Sequence, residues 1–293
     1  KVGLNRLLER LKEDNPDYYN DNIIPTYYDV KKEFEKEVCV INNPCCFYRQ
    51  PRLPITLGNI DTTQELKKDG IKHIYEAKKC LVPEKDKNGK TEWVKTNFLP
   101  MWFNDEKRAT FEGLIFEPEL LTLEQSRFYK NLYKGYRAER IVIIEEDYTK
   151  IQLILDHMKY IICNGDEHCY EYLTQWIAQI IQNPKNRPET CIVLYSKGHG
   201  TGKNTFTNFL ANGVYGAYDL ALSVNDIESK VFTRFNAILR NVMLVVIEEA
   251  KGDMKKFVSE LKTIITEPTL AIEKKGIDPK PYANNINILL KFK

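Results

Sequence analysis

The sequence predicts an α/β protein: a parallel sheet with flanking helices over residues 151–293, preceded at 1–150 by a smaller mixed accessory region of helices and short strands. Three observations predict it. The apolar run CIVLY at 191–195 passes through a glycine-rich loop straight into a helical pattern. The same order returns downstream as strand 242–247, helix 254–266 and strand 286–290. These strands read as continuous apolar runs, the pattern of strands covered on both faces.

Composition sets the frame. A chain of 293 residues with 43% hydrophobic content is long enough for one large or two ordinary domains. Its 43 basic and 41 acidic residues leave a net charge of only +2, so no global field draws in nucleic acid and any such contact must be local. Seven cysteines, an odd number without CxxC spacing, read as reduced thiols of an intracellular protein. No apolar stretch approaches the ~20 residues of a membrane span. The opening KVGLNRLLERLKEDNP is a charged helical pattern without a secretory core, so the expected location is the cytoplasm and no membrane partner is expected. A start at Lys1, and an end at Lys293 directly after an apolar run, lead us to expect a piece of a longer polypeptide.

The elements follow in order. Residues 1–36 read as helical segments broken by Pro16 and Pro25. From 38 to 120, short apolar runs alternate with turn signals such as Asn43-Pro44, Gly58 and the loop EKDKNGK, and predict short strands. From Leu121 the character becomes amphipathic helix. Tyr148–Asn183 predicts two helices interrupted at Asn164-Gly165-Asp166 and ending before Pro184 and Pro188. The alternation of strand 191–196, loop, helix 203–212 and the later strands then begins, with a boundary near residue 150.

The loop SKGHGTGKNT has the composition of a phosphate cradle. Gly198, Gly200 and Gly202 permit positive φ and let backbone N–H groups point inward, with His199 and Thr201 between them, while the helix start adds partial positive charge. Lys203 supplies a point charge for the β and γ phosphates. Lys197 stands where a further glycine is usual, and Asn204 where Ser or Thr commonly holds Mg2+, so the Asn204 carbonyl oxygen, Thr205 or a water must take the ion. Downstream, NVMLVVIEEAKG ends an apolar run in Glu248-Glu249. Acids at the tip of a parallel strand beside the loop strand can hold the metal shell and orient the attacking water. We assign Glu248 to Mg2+ and Glu249 to the base, an order that could be reversed.

At this point the chain resembles superfamily 3 helicases, in particular the poxvirus-type primase-helicase group and the C-terminal helicase region of phage or plasmid primase-polymerases. The resemblance runs through WFNDEKRATFEGLIFEPE (102–119), FYKNLYKGYRAE (128–139), ICNGDEHCYEYLTQWIAQIIQNPKNRP (162–188), GTGKNTF, FNAILRNVMLVVIEEAKG and LKTIITEPTLAIEKKGIDPKPYANN. It implies a P-loop, AAA+-like ATPase that hydrolyses ATP with Mg2+, a hexameric ring around single-stranded DNA at a replication fork, and a primase or polymerase domain in the same viral or phage polypeptide, at work in the host-cell cytoplasm. It also implies a basic hairpin lining the pore, here Lys274 and Lys275 with Gly276 at the turn. Where the group carries an Asn that senses the γ phosphate this chain reads NINILLKFK without it, and the arginine finger expected later is missing too. The sequence is therefore expected to be truncated at its C-terminus, or its machine degenerate. A degenerate machine would be a non-catalytic ring that holds a primase or polymerase on template. Arg234 and Arg240 could reach a neighbouring subunit, but are read as surface or packing residues.

Other features point elsewhere. Cys163, His168, Cys169 and Cys191 do not match a zinc-ligand spacing. FYRQPRLP at 47–54 could stack bases, although Tyr and Arg there more often pack a sheet edge. A small phosphotransferase would need an arginine-rich lid downstream, and none is visible.

Overall fold

The computed structural model describes residues 24–50, 64–119, 121–140, 148–198, 200–216, 220–225, 227–248 and 254–292, together with Arg10 and Asp14. The chain is a mixed α/β protein that divides into two compact units. Among the described residues, one is built on those up to Leu114 with Arg127–Lys130, the other on Ile115–Ser126 and those from Asn131 onward. The expected boundary near residue 150 thus lies inside the second unit. The reason is aromatic: Phe116, Tyr133 and Tyr136 pack in an edge-on series that ends on buried Tyr215.

Among the described residues the first unit carries α1 (Tyr27–Phe34), α2 (Lys68–Tyr75) and α3 (Phe98–Phe103). Its strands are β1 (Val38–Ile41), β2 (Cys46–Arg49), β3 (Gln64–Leu66), β4 (Lys79–Lys85), β5 (Thr91–Asn97) and β6 (Thr110–Phe111). The sheet order is β3-β2-β1-β6, with β4 and β5 forming a separate hairpin. Helix α1 begins where Thr26 and Asp29 cap each other: the Asp29 N–H donates to Thr26 Oγ1 and the Thr26 N–H to the Asp29 carboxylate at 3.2 Å. Its buried face, Tyr27, Val30 and Phe34, meets Phe98 and Trp102 in the core. The expectation of short strands over 38–120 holds, with α2 and α3 as helical additions. Residues 1–9, 11–13, 15–23 and 51–63, including part of the aromatic and basic run at 47–54, lie outside the described residues.

From residue 148 the second unit carries α4 (Tyr148–Asp156), which continues as π-helical turns over His157–Ile162, and then α5 (Glu167–Gln182). The break between them falls at the expected turn. Asn164 and Gly165 adopt positive φ, and the Asp166 carboxylate accepts from the Cys169 N–H at 2.8 Å to start α5. Strand β7 (Cys191–Tyr195) leads through the glycine loop into α6 (Lys203–Asn208), whose direction continues as π-helical turns to Tyr215. Then come β8 (Ala221–Val224), the single turn α7 (Ile227–Lys230), β9 (Leu244–Ile247), α8 (Met254–Thr266), the hairpin β10 (Thr269–Lys274) and β11 (Ile277–Ala283), and β12 (Asn287–Phe292). β8, β9, β12 and β7 form one sheet in that order, every pair parallel.

This order corrects one expectation. β9 does not lie beside the loop strand β7, because β12 is inserted between them and pairs with both. β8 was absent from the predicted alternation altogether. The sheet separates two buried clusters. Leu244, Val246 and Leu289 join Phe206, Leu210 and Trp176 on one side, and Val245, Ile247, Ile288 and Leu290 join Phe257 and Ile264 on the other. Such two-sided burial explains the unbroken apolar runs.

The α8–hairpin–β12 corner is held by side chains that satisfy carbonyls at the helix end. The Arg187 guanidinium donates to the carbonyls of Ile264, Ile265, Ile286 and Glu267 at 2.9–3.3 Å, and the Asn284 amide to those of Ile264 and Glu267 at 2.7 and 2.8 Å. Among the described residues no helix is long and apolar enough to cross a membrane.

Two outcomes follow from these contacts. In the first unit Asp105 accepts from Tyr27 and Lys31, each at 2.6 Å, and those bonds hold its carboxyl at about 2 against an ordinary 3.8. The native state thus favours the charged form. The stabilisation is complete above the ordinary value and is lost as pH falls from there toward 2, so Asp105→Asn should flatten the acid limb of a denaturation profile. Arg187→Ala, which leaves several carbonyls unsatisfied, should lower urea stability of the second unit by about 1–3 kcal/mol. Lysine there should restore little, since it lacks the planar fork.

Candidate functional site

All predicted site residues that the structure describes, apart from the hairpin, lie at the C-terminal ends of the parallel strands, where the loops and helix starts of such a sheet collect. Ser196 follows β7, Glu248 follows β9, and Lys291 lies one residue before the end of β12.

The glycine loop folds upon itself. Gly200 and Gly202 adopt φ of +69° and +81°, the left-handed region that side chains disfavour. Ser196 Oγ donates to the Gly198 carbonyl at 2.9 Å and lies 2.9 Å from Thr201 Oγ1. The Lys203 ammonium is drawn into this ring, donating to Ser196 Oγ and, at 3.2 Å, to Thr201 Oγ1. Gly202 is also gripped from behind. The His157 ring donates from Nε2 to the Gly202 carbonyl at 3.0 Å, a contact that fixes its tautomer because a carbonyl only accepts. A Cβ on Gly202 would sit 2.6 Å from His157 Cε1 and 2.9 Å from Ile161 Cγ2. The π-helical turn of α4 thus sets the position of the last loop residue before Lys203.

Strand alternation decides what meets beyond the loop. Leu244 and Val246 face the cluster under α6 while Val245 and Ile247 face away, so the period of two carries Glu248 to the α6 side. On β12, Leu289 faces α6 and Ile288 and Leu290 face away, which puts Lys291 on that side as well. The result is a closed cluster. Lys291 Nζ donates to Asn204 Oδ1 at 2.8 Å, lies 3.5 Å from Thr207 Oγ1 and pairs with the Glu248 carboxylate. The lysine side chain is 4% exposed and that of Glu248 27%. Thr205, beside them on α6, is exposed.

The remaining predicted residues divide as follows. Glu249 and His199 lie outside the described residues. The expected hairpin is formed by β10 and β11, with Lys274 opposite Ile277 and Gly276 at φ +78°. Lys275 is exposed at its turn, and the Lys274 side chain is outside the described ones. Arg234 donates from Nε to both carboxylate oxygens of Glu273 at 2.8 and 3.0 Å, and Arg240 lies over the Tyr282 ring, which gives both of them packing contacts. The thiols of Cys163 and Cys169 are raised, and burial pushes Cys191 up to about 12, so none is a ready thiolate.

Mg2+ is the ion the loop composition implies, and the donor set tests the fit. Asn204 and Glu248, the side chains placed to hold it, both bind the Lys291 ammonium. A site already centred on a buried monovalent cation is not an oxygen cage for a divalent one. The residues present do not fit Mg2+ held by that pair.

Three residues of the site escaped the sequence reading. Ser196 and His157 gave no signal in isolation. Lys291 did give one, a cation inside the run NILLKF, but a strand ended at Leu290 hides it.

A family described only as of unknown function (DUF5906) matches residues 194–291, less than half of the chain. No curated protein matches the sequence. Solved structures of the NrS-1 C-terminal region in apo form share the fold. One covers 92% of this chain at 19% identity with a TM-score of 0.61, and a second covers 87% at 20% identity with a TM-score of 0.60. The chain spans 57% and 53% of their respective lengths.

The loop geometry makes a graded expectation. Gly202→Ala combines a disfavoured φ with a clash and should cost about 1–3 kcal/mol. Gly200→Ala meets nothing within 4 Å and should cost only about 1–2 kcal/mol. Thermal unfolding of the two variants would rank them, and equal losses would mean that His157 and Ile161 yield freely.

Proposed function

We propose that the second unit is a P-loop, AAA+-like nucleotide-binding domain of the superfamily 3 helicase type, the ATP-dependent motor region of a viral or phage replication protein. The observation that carries this reading is the loop between β7 and α6, where Lys203 is folded into a ring of backbone and hydroxyl groups at the C-terminal end of a parallel sheet, with Glu248 at the tip of β9. In this reading the Lys203 ammonium leaves Ser196 and Thr201 for the β and γ phosphates of ATP, and loop N–H groups complete the cradle. Glu248 and Glu249 are the acids beside the terminal phosphate. Subunits assemble as a ring, with six the expected number, and the exposed Lys275 on the β10–β11 hairpin follows the phosphates of single-stranded DNA without reading bases. The likeness in fold to the NrS-1 C-terminal region supports this reading.

One observation favours a second reading. Because Lys291 engages both Asn204 and Glu248, the domain is suited to holding nucleotide without turning it over. It would then act as a ring-forming module that keeps a primase or polymerase on its template.

Steady-state ATPase assays with and without single-stranded DNA separate the two. The motor reading expects DNA-stimulated turnover that falls about a hundredfold or more in Lys203→Ala. Nucleotide binding without turnover selects the holding module. Failure of Lys203→Ala to weaken binding of an ATP analogue in equilibrium titration would sink both.

A further inference from the structure

Buried cations are rare in a protein interior and must be compensated where they occur. Lys291 is a buried lysine on the central β12, and its partners come from two other elements: Asn204 and Thr207 from α6, and Glu248 from the end of β9. Those two side chains, Asn204 directly after the loop lysine and Glu248 at the strand tip, are the ones to which a divalent ion beside a bound triphosphate would be entrusted. Two departures that look unrelated in the sequence, an amide in place of a hydroxyl at 204 and a lysine at 291, therefore meet at one point. The amide carbonyl accepts from an ammonium without bringing a competing donor hydrogen to that bond, which suits Asn204 to a lysine partner.

We propose that the Lys291 ammonium is a built-in cation that replaces the divalent ion, so that the site binds nucleoside triphosphate without Mg2+. This rests on the nucleotide-binding reading above and applies to the motor and the holding module alike. Lys203 and Lys291 would supply two fixed positive charges against the phosphate chain, one from the loop and one from the neighbouring strand. A divalent ion placed between Asn204 and Glu248 would have to displace an ammonium that has nowhere hydrated to go, since its side chain is 4% exposed. A carboxylate at 27% exposure keeps the cluster open to a ligand approaching from the loop side.

The test is an equilibrium titration of the full chain with a fluorescent ATP analogue, by anisotropy, in EDTA and again in excess Mg2+. The wild-type protein is expected to bind with affinities within about twofold of each other in the two buffers. Lys291→Met should lose about tenfold or more in EDTA, with Mg2+ restoring part of the loss. Lys291→Arg should keep the insensitivity to EDTA. Far-UV circular dichroism melts report whether each variant is folded, and the wild-type comparison decides the matter even if Lys291→Met is not. Wild-type binding that tightens about tenfold or more with Mg2+ would overturn the built-in cation while leaving nucleotide binding intact. Absence of binding in both buffers would overturn that reading and this inference together.

Discussion

A lysine ammonium taken out of water costs several kcal/mol unless anionic and neutral acceptors surround it, and leaving one such charge unpaired is among the most damaging changes a core can suffer. In this protein that constraint falls at Lys291. Its position is possible only if β12 lies between β7 and β9, if α6 covers that side of the sheet, and if the chain turns after β9 so that a carboxylate faces inward. Strand order, helix placement and the direction of the Glu248 side chain are in this sense what the compensation of one charge requires. The apolar clusters on either side supply most of the favourable energy, but they tolerate substitutions of similar volume. The ionic cluster does not tolerate the loss of one partner alone, which leaves a buried charge uncompensated.

Much of the second unit was legible in the residues. The strand, loop and helix from 191 to 208 carry apolar continuity followed by glycines at alternate positions, and both signals are local. Helix 254–266 falls at its predicted bounds because its amphipathic period is undisturbed. The turn at Asn164-Gly165-Asp166 was readable for a similar reason, since its positive φ values and its cap are each written in single residues. What could not be read was pairing. β12 enters between strands that precede it, and no local pattern encodes that choice. β8 escaped because four residues, ALSV, are too short for a period to emerge.

The site shows the same division. The loop and Glu248 follow from residue type and spacing, whereas Lys291 becomes meaningful only once its register against Leu194 and its side of the sheet are known. A strand ended at Leu290 leaves the lysine outside the predicted sheet. The support given by His157 is of this kind too, because it acts across 45 residues of sequence and through a backbone carbonyl. An element with no motif of its own thereby holds the most constrained glycine of the loop, and a shift of that helix would be felt at Lys203.

The placement of β12 also governs the order of assembly. Among the described residues β7 has one strand partner, and that strand follows it by roughly a hundred residues, with pairings such as Val193 with Leu290. Until then the nascent sheet is divided, with β8 and β9 free to pair and β7 left with an unsatisfied edge. Closure costs loop entropy that only the late strand repays. The glycine loop thus acquires its final frame only once β12 has paired with β7.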